Sequence, residues 1–145
     1  MPELSITNVA HVIQLSVAPV FLLTGVGGIL SVLTNRLARI VDRARVIEHE
    51  LPDVVREDKA VLRLELTTLG RRMRLINWAI SLCTTCALFV CLVIVLLFVG
   101  ACCATSISAP VAFLFILAML ALLGGLLSFL REIYLAIASA RLGMR

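Results

Sequence analysis

Cys83-Thr84-Thr85-Cys86 places two thiols at the spacing of a thiol–disulfide redox pair. In membrane thiol oxidoreductases such a pair sits near the outer surface. Here it falls near the inner end of a long apolar stretch, on the side where thiols are kept reduced, and a free cysteine within a helix packs as a small hydrophobe. A structural role is therefore expected. Cys102-Cys103 lies at the opposite end of that stretch, where oxidation is possible. Adjacent cysteines rarely bridge to each other, so only a link between subunits would give them chemistry. His11 and His49 have no second ligand at metal spacing and are expected at a surface or interface. The weak alternative is that His11 makes an outer-side function sensitive to pH. The apolar stretches contain no acid pair, no nucleophile with its base and no glycine-rich phosphate loop. No enzyme, catalytic residue, metal site or cofactor is expected.

A different pattern occupies the first apolar stretch. Gln14, Ser16, Pro19, Thr24, Gly25, Gly27, Gly28, Ser31, Thr34 and Asn35 make it more polar than the rest. Steps of three and four align Gln14, Ala18, Phe21, Gly25, Gly28, Val32, Asn35, Arg39 and Arg43 on one face of a helix. Polar groups facing lipid cost free energy without return, so this face must meet protein or water. One reading is close helix packing through small residues. The other is an axial pore between symmetry-related copies, with Gln14, Phe21 and Asn35 lining it and Arg36, Arg39 and Arg43 around its cytoplasmic mouth. Inner arginine rings would favour anions or screen cations, and Asp42 or Glu48 on the axis would reverse that preference. The dense run Thr34 to Arg45 also reads in two compatible ways, as a solvated, weakly self-paired helix face and as a surface for anionic headgroups.

These residues must be carried by membrane spans. The chain of 145 residues is 61% hydrophobic with a mean hydropathy of +1.10, where a soluble domain is about half apolar. No charge occurs between Glu3 and Arg36 or between Leu75 and Leu130. A span needs about 20 apolar residues, because a helix rises about 1.5 Å per residue through about 30 Å of hydrocarbon. The first window holds one span (12–33) and the second holds two (75–102 and 111–130). A cleaved signal peptide is not expected, since the acidic Glu3, the lack of a basic n-region and the lack of a small-residue cleavage site argue against it. All five cysteines fall in or at the end of the second span, so no extracellular disulfide framework is implied.

The net charge of +4 reads as topology rather than as nucleic-acid binding. Ten of the thirteen Lys and Arg lie from Arg36 to Arg74, and the others are Arg131, Arg141 and Arg145. Basic residues flanking spans stay in the cytoplasm. The N-terminus is therefore expected outside, with the 36–74 segment and the 131–145 tail inside. Arg36, Arg131 and Arg141 are placed to meet lipid headgroups.

Leu37, Ile40, Val41, Ala44, Ile47 and Leu51 continue the first helix beyond the membrane, and Pro19 within it should kink it or loosen its ladder. Leu51-Pro52-Asp53 breaks the helix. The pattern resumes through Leu62, Leu66, Leu69, Met73 and Ile76 into the second span. Residues 36–74 thus read as an antiparallel helical hairpin, coiled-coil-like over about two heptads in each arm. Thr105 to Pro110 forms the outer turn, and Gly124-Gly125 marks close packing in the third span. The fold class is all-α, a polytopic membrane protein of three spans with a long cytoplasmic hairpin between the first and second.

Ile13-Gln14-Leu15, Ala18-Pro19-Val20-Phe21-Leu22-Leu23-Thr24-Gly25 and Thr34-Asn35-Arg36-Leu37-Ala38-Arg39-Ile40-Val41-Asp42-Arg43 together resemble the signature of a small bacterial membrane-protein family known only as a domain of unknown function. The resemblance is specific over the first span and its cytoplasmic extension, and rests on hydropathy alone further on. It implies about three membrane helices in a bacterial inner membrane and brings no activity or site residues with it.

Three thin helices bury little of their own surface, so a homo-oligomer is expected, with lipid as a further partner. In the transport reading it is a small ion channel lined by the first helix. In the interaction reading it is a non-conducting scaffold or accessory subunit whose hairpin binds a cytoplasmic partner.

Overall fold

A computed structural model describes residues 3–51, 56–103 and 108–142, with side chains described over 10–51, 59–101 and 108–137. Helix α1 spans Glu3–Glu50, α2 spans Arg56–Cys103 and α3 spans Ser108–Leu142. The described chain is all-α. Pro52, Asp53, Thr105 and Ile107, and the side chains of Cys102, Cys103 and Arg141, lie outside the described residues.

Each helix owes its length to one long apolar run extended by an amphipathic one. Pro19 sits inside α1, and the helix is continuous past it. Neighbours tolerate such a proline in an apolar helix, because the freed backbone groups find other donors and acceptors. Three hydroxyls of α1 bond back to their own helix. Ser16 Oγ donates to the Val12 carbonyl at 2.8 Å, Thr24 Oγ1 to Val20 at 3.3 Å and Thr34 Oγ1 to Ser31 at 3.0 Å. At its far end, the Leu51 amide donates to the Ile47 carbonyl and closes the last turn. Pro110 falls in the first turn of α3, where its missing N–H has no helical acceptor to lose.

Burial recurs every seven residues. In α1 it falls on Val12, Pro19, Val26, Leu33, Ile40 and Ile47. In α2 it falls on Leu69, Ile76, Cys83 and Val90, with Ala79, Cys86 and Val93 three residues after the last three of these and Gly100 seven after Val93. In α3 it falls on Ala118, Gly125 and Glu132. A seven-residue period keeps one seam on one side of a slightly underwound helix over many turns.

The chain forms two compact units. The first joins α1 up to Leu30, α2 from Leu82 and α3 up to Leu123. Its buried residues are apolar or small, apart from the self-bonded Ser16. The second joins α1 from Ser31, α2 up to Ser81 and α3 from Gly124. It holds the ion pairs among the described residues.

Three helices are long and apolar enough to cross a membrane, over Ala10–Glu50, Lys59–Ala101 and Ser108–Ile137. Only 17%, 22% and 11% of their most apolar windows is buried within the chain. The rest must be met by lipid or by other chains, so the molecule is a membrane protein.

Candidate functional site

The charged centre of the second unit is Glu132. About four helical turns of α3 lead to it in register: Ala118, Gly125 and Glu132 occupy successive seam positions, seven residues apart. The seam therefore carries a carboxylate into the interior, where its accessibility is 0%. An isolated carboxylate there would be costly. Two arginines meet it. Arg36 of α1 donates from Nη1 to Oε2 at 2.6 Å. Arg72 of α2 donates from Nε and Nη2 to Oε1 at 3.1 and 2.9 Å. Charge-assisted bonds of this kind are short and roughly twice as strong as neutral ones. The Arg36 guanidinium also lies over the Phe129 ring, 5.3 Å from its centroid. Phe129 is three residues before Glu132, on the same side of α3, so one turn supplies both the anion and the aromatic face.

This cluster ties one residue from each helix to the other two at one level. Both carboxylate oxygens accept from guanidinium donors, two bonds at Oε1 and one at Oε2, which suits a clamp. A second ion pair of the unit, Arg43 Nε to Glu65 Oε1 at 3.0 Å, is half-exposed on both sides. Pairs of that kind contribute little.

The nine stripe residues are placed as follows. In the first unit Gln14, Ala18, Phe21, Gly25 and Gly28 are all exposed, Phe21 at 72%. In the second, Val32, Asn35, Arg39 and Arg43 are all exposed. A side chain added at Gly25 or Gly28 would meet nothing within 4 Å. The hydroxyls of Ser16, Thr24 and Thr34 are served by the α1 backbone, but among the described residues the carboxamides of Gln14 and Asn35 have no hydrogen-bond partner. Exposure itself does not single the stripe out, since Ile13, Leu15 and Val20 are exposed too. Composition does. Those neighbours suit lipid, whereas carboxamides and bare glycines do not.

The sequence description "Protein of unknown function (DUF2721)" matches residues 16–142. The chain belongs to this family. The expectation of a domain-of-unknown-function family is met, and the DUF2721 match encloses Arg36, Arg72, Phe129 and Glu132 and every stripe residue except Gln14. No curated protein and no solved structure matches the chain. Membership in DUF2721 brings no activity with it.

Within this DUF2721 chain, Cys83 and Cys86 are free and buried at consecutive seam positions of α2, and Cys91 is free and exposed. His11 and His49 are exposed. Among the described residues no three His, Cys, Asp or Glu side chains gather as a metal would require. Of the arginines expected at headgroups, Arg131 is exposed, while Arg36 is committed to Glu132. Glu132 itself, Arg72 and Phe129 were not singled out by sequence reasoning. A signal was present: Glu132 is the only acidic residue after Glu65, and it continues the small-residue series Ala118, Gly125 at seven-residue spacing.

Proposed function

We propose that this protein is a homo-oligomer of the bacterial inner membrane in which the α1 stripes of several copies face a common axis and form a small ion-conducting pore. The observation that carries this reading is the pair of partnerless carboxamides, Gln14 and Asn35, on an exposed face otherwise built of Ala18, Phe21, Gly25, Gly28 and Val32. The two lie 21 residues apart on α1, about 32 Å of helix at 1.5 Å per residue, close to the hydrocarbon thickness. They therefore mark the two mouths. Between them Phe21 is the bulkiest group and forms an apolar constriction of the kind that gates by dewetting. Small residues let neighbouring copies approach closely, and a face that repeats on every copy closes most simply by rotational symmetry.

The N-terminus lies outside and the arginine-rich arms lie in the cytoplasm, by the retention of basic flanks on that side. The arms run antiparallel. Arg36 shares Glu132 with Arg72, and Arg43 meets Glu65, so positions on one arm rise as those on the other fall. The Glu132 clamp holds the base of α1 and so fixes where Asn35 and Arg39 point.

The test is mass measurement and electron microscopy of the protein in detergent, followed by ion flux in liposomes. A ring with α1 on its axis and a measurable flux supports the pore. A monomer, or a dimer that covers the stripe without an axial path, rejects it.

One observation favours a second reading, a non-conducting scaffold whose hairpin binds a cytoplasmic partner. Val61 and Leu64 on the α2 arm are 65% and 70% exposed, in a segment with too many charges to lie in lipid. A flux-free oligomer whose assembly with a partner is lost on Leu64→Glu would decide for the scaffold.

A further inference from the structure

A groove between α2 and α3 in the second unit lies apart from the Glu132 clamp. Arg71, Arg74, Leu75 and Trp78 of α2 and Arg131 and Leu135 of α3 are among the residues that line it, and it is a half-open space of about 730 Å³. At 100° per residue, Arg71 and Arg74 leave α2 roughly 100° and 160° away from Arg72. Neighbouring arginines thus serve different faces, Arg72 turned to the buried carboxylate and the other two to the groove.

Four observations define what the groove would hold. Arg71, Arg74 and Arg131 are all exposed, and among the described residues none of them has an ion-pair partner. The groove thus gathers three uncompensated positive charges. It also sits at a boundary. Arg74 is the last charge before the uncharged stretch of α2 and Arg131 the first after that of α3. Trp78 lies one turn further into the apolar stretch, is 63% exposed and is the chain's one tryptophan. Indole rings favour the headgroup layer, with an apolar body and a polar N–H. Finally, Leu75 and Leu135 add apolar wall beside the guanidinium groups. Basic pockets between membrane helices at the cytoplasmic side suit anionic lipid headgroups, and the volume is within the range of small-ligand sites.

We propose that this groove is a binding site for an anionic phospholipid. Arg71, Arg74 and Arg131 hold the headgroup phosphate, and Trp78, Leu75 and Leu135 contact the glycerol and the first part of an acyl chain. A soluble phosphate would use the three arginines and leave Trp78 and the leucines without a role, which is why the lipid is the better occupant. The site is contained in one protomer and does not depend on the pore.

Trp78 reports on the site by its own fluorescence. The protein is reconstituted in phosphatidylcholine vesicles containing a minor fraction of either brominated phosphatidylglycerol or brominated phosphatidylcholine, and quenching is compared at equal mole fraction. Quenching by the anionic lipid is expected to be several-fold stronger. Arg71→Gln, Arg74→Gln and Arg131→Gln should each lower that preference by about fivefold, at about 1 kcal/mol per basic residue near a membrane surface. Arg63→Gln, an exposed charge on α2 outside the groove, should leave it unchanged. Equal quenching by the two lipids, or a preference that survives all three single variants, overturns the proposal. Inorganic phosphate added to the protein in neutral detergent is the second arm. Silence of Trp78 there supports the lipid, whereas a saturable shift that the three variants abolish would assign the site to a soluble anion instead. Because the readout does not depend on subunit number or flux, loss of the pore reading leaves this test intact.

Discussion

Arg36 and Glu132 are 96 residues apart in the chain and 2.6 Å apart in space. Their contact is completed by the two bonds from Arg72, and among the described residues Glu132 is the charged side chain that is fully buried. A buried carboxylate between two guanidinium groups contributes little net stability as a unit, because desolvation offsets much of the attraction, but losing one member leaves uncompensated charge behind. Glu132→Ala is therefore expected to destabilise by about 3 kcal/mol, measured by thermal or denaturant unfolding in detergent. Glu132→Gln should fall between the two, since an amide keeps one acceptor and loses the charge. A Glu132→Ala protein as stable as the parent would mean that the three side chains do not hold the helices together.

The two arginines should not be equivalent to independent sites. Arg36→Ala and Arg72→Ala share one acceptor, so their double variant is expected to depart from additivity by about 0.5–3 kcal/mol. Strict additivity in a double-mutant cycle would mean that the bonds to Oε1 and Oε2 act separately.

Phe129→Leu keeps an apolar side chain and removes the ring beneath Arg36. A cation–π contact at a partly exposed site is worth about 0.5–1 kcal/mol, so the loss should be small and should vanish in an Arg36→Ala background. For comparison, Arg43→Gln, which breaks the half-exposed pair with Glu65, is expected to cost under about 1 kcal/mol and to lose most of its effect in high salt.

For the pore, cysteine cross-linking places the stripe directly. In a background lacking the native cysteines, Phe21→Cys and Gly25→Cys should cross-link between protomers under mild oxidation, and Val20→Cys, exposed but about 100° around the helix from Phe21, should not. Cross-linking of Val20→Cys alone would put a different face of α1 at the interface.

In liposomes, Phe21→Ser is expected to raise ion flux, because a polar side chain keeps a narrow passage wet. Gln14→Leu and Asn35→Leu should lower it. If both leave the flux of the parent protein unchanged, these residues do not line the path.

Much of the fold was legible because hydrocarbon imposes simple demands. Charge-free windows bounded by Arg36, Arg74 and Arg131 announce three helices, and the helix that carries Arg36 runs on to Glu50 because Ile40 and Ile47 keep its apolar period. The stripe from Gln14 to Arg43 was legible from the same period. The clamp was harder. Arg36 and Arg131 look alike in the sequence, each the charge that ends an apolar window, yet one pairs with Glu132 and the other opens onto a groove. Arg71 and Arg72 are adjacent, yet Arg71 lines the groove while Arg72 meets Glu132.

The sequence by itself determined that the chain crosses a membrane, where its positive charge collects and which helix carries polar residues along one face. These follow from the local content of each segment, since helix period and hydropathy need no knowledge of neighbours. Only the tertiary structure decided which charges are neutralised and which remain free. That choice depends on how three seams of seven-residue period come into register in the second unit: it brings Arg36 and Arg72 to the lone acid of α3 and leaves Arg71, Arg74 and Arg131 without one.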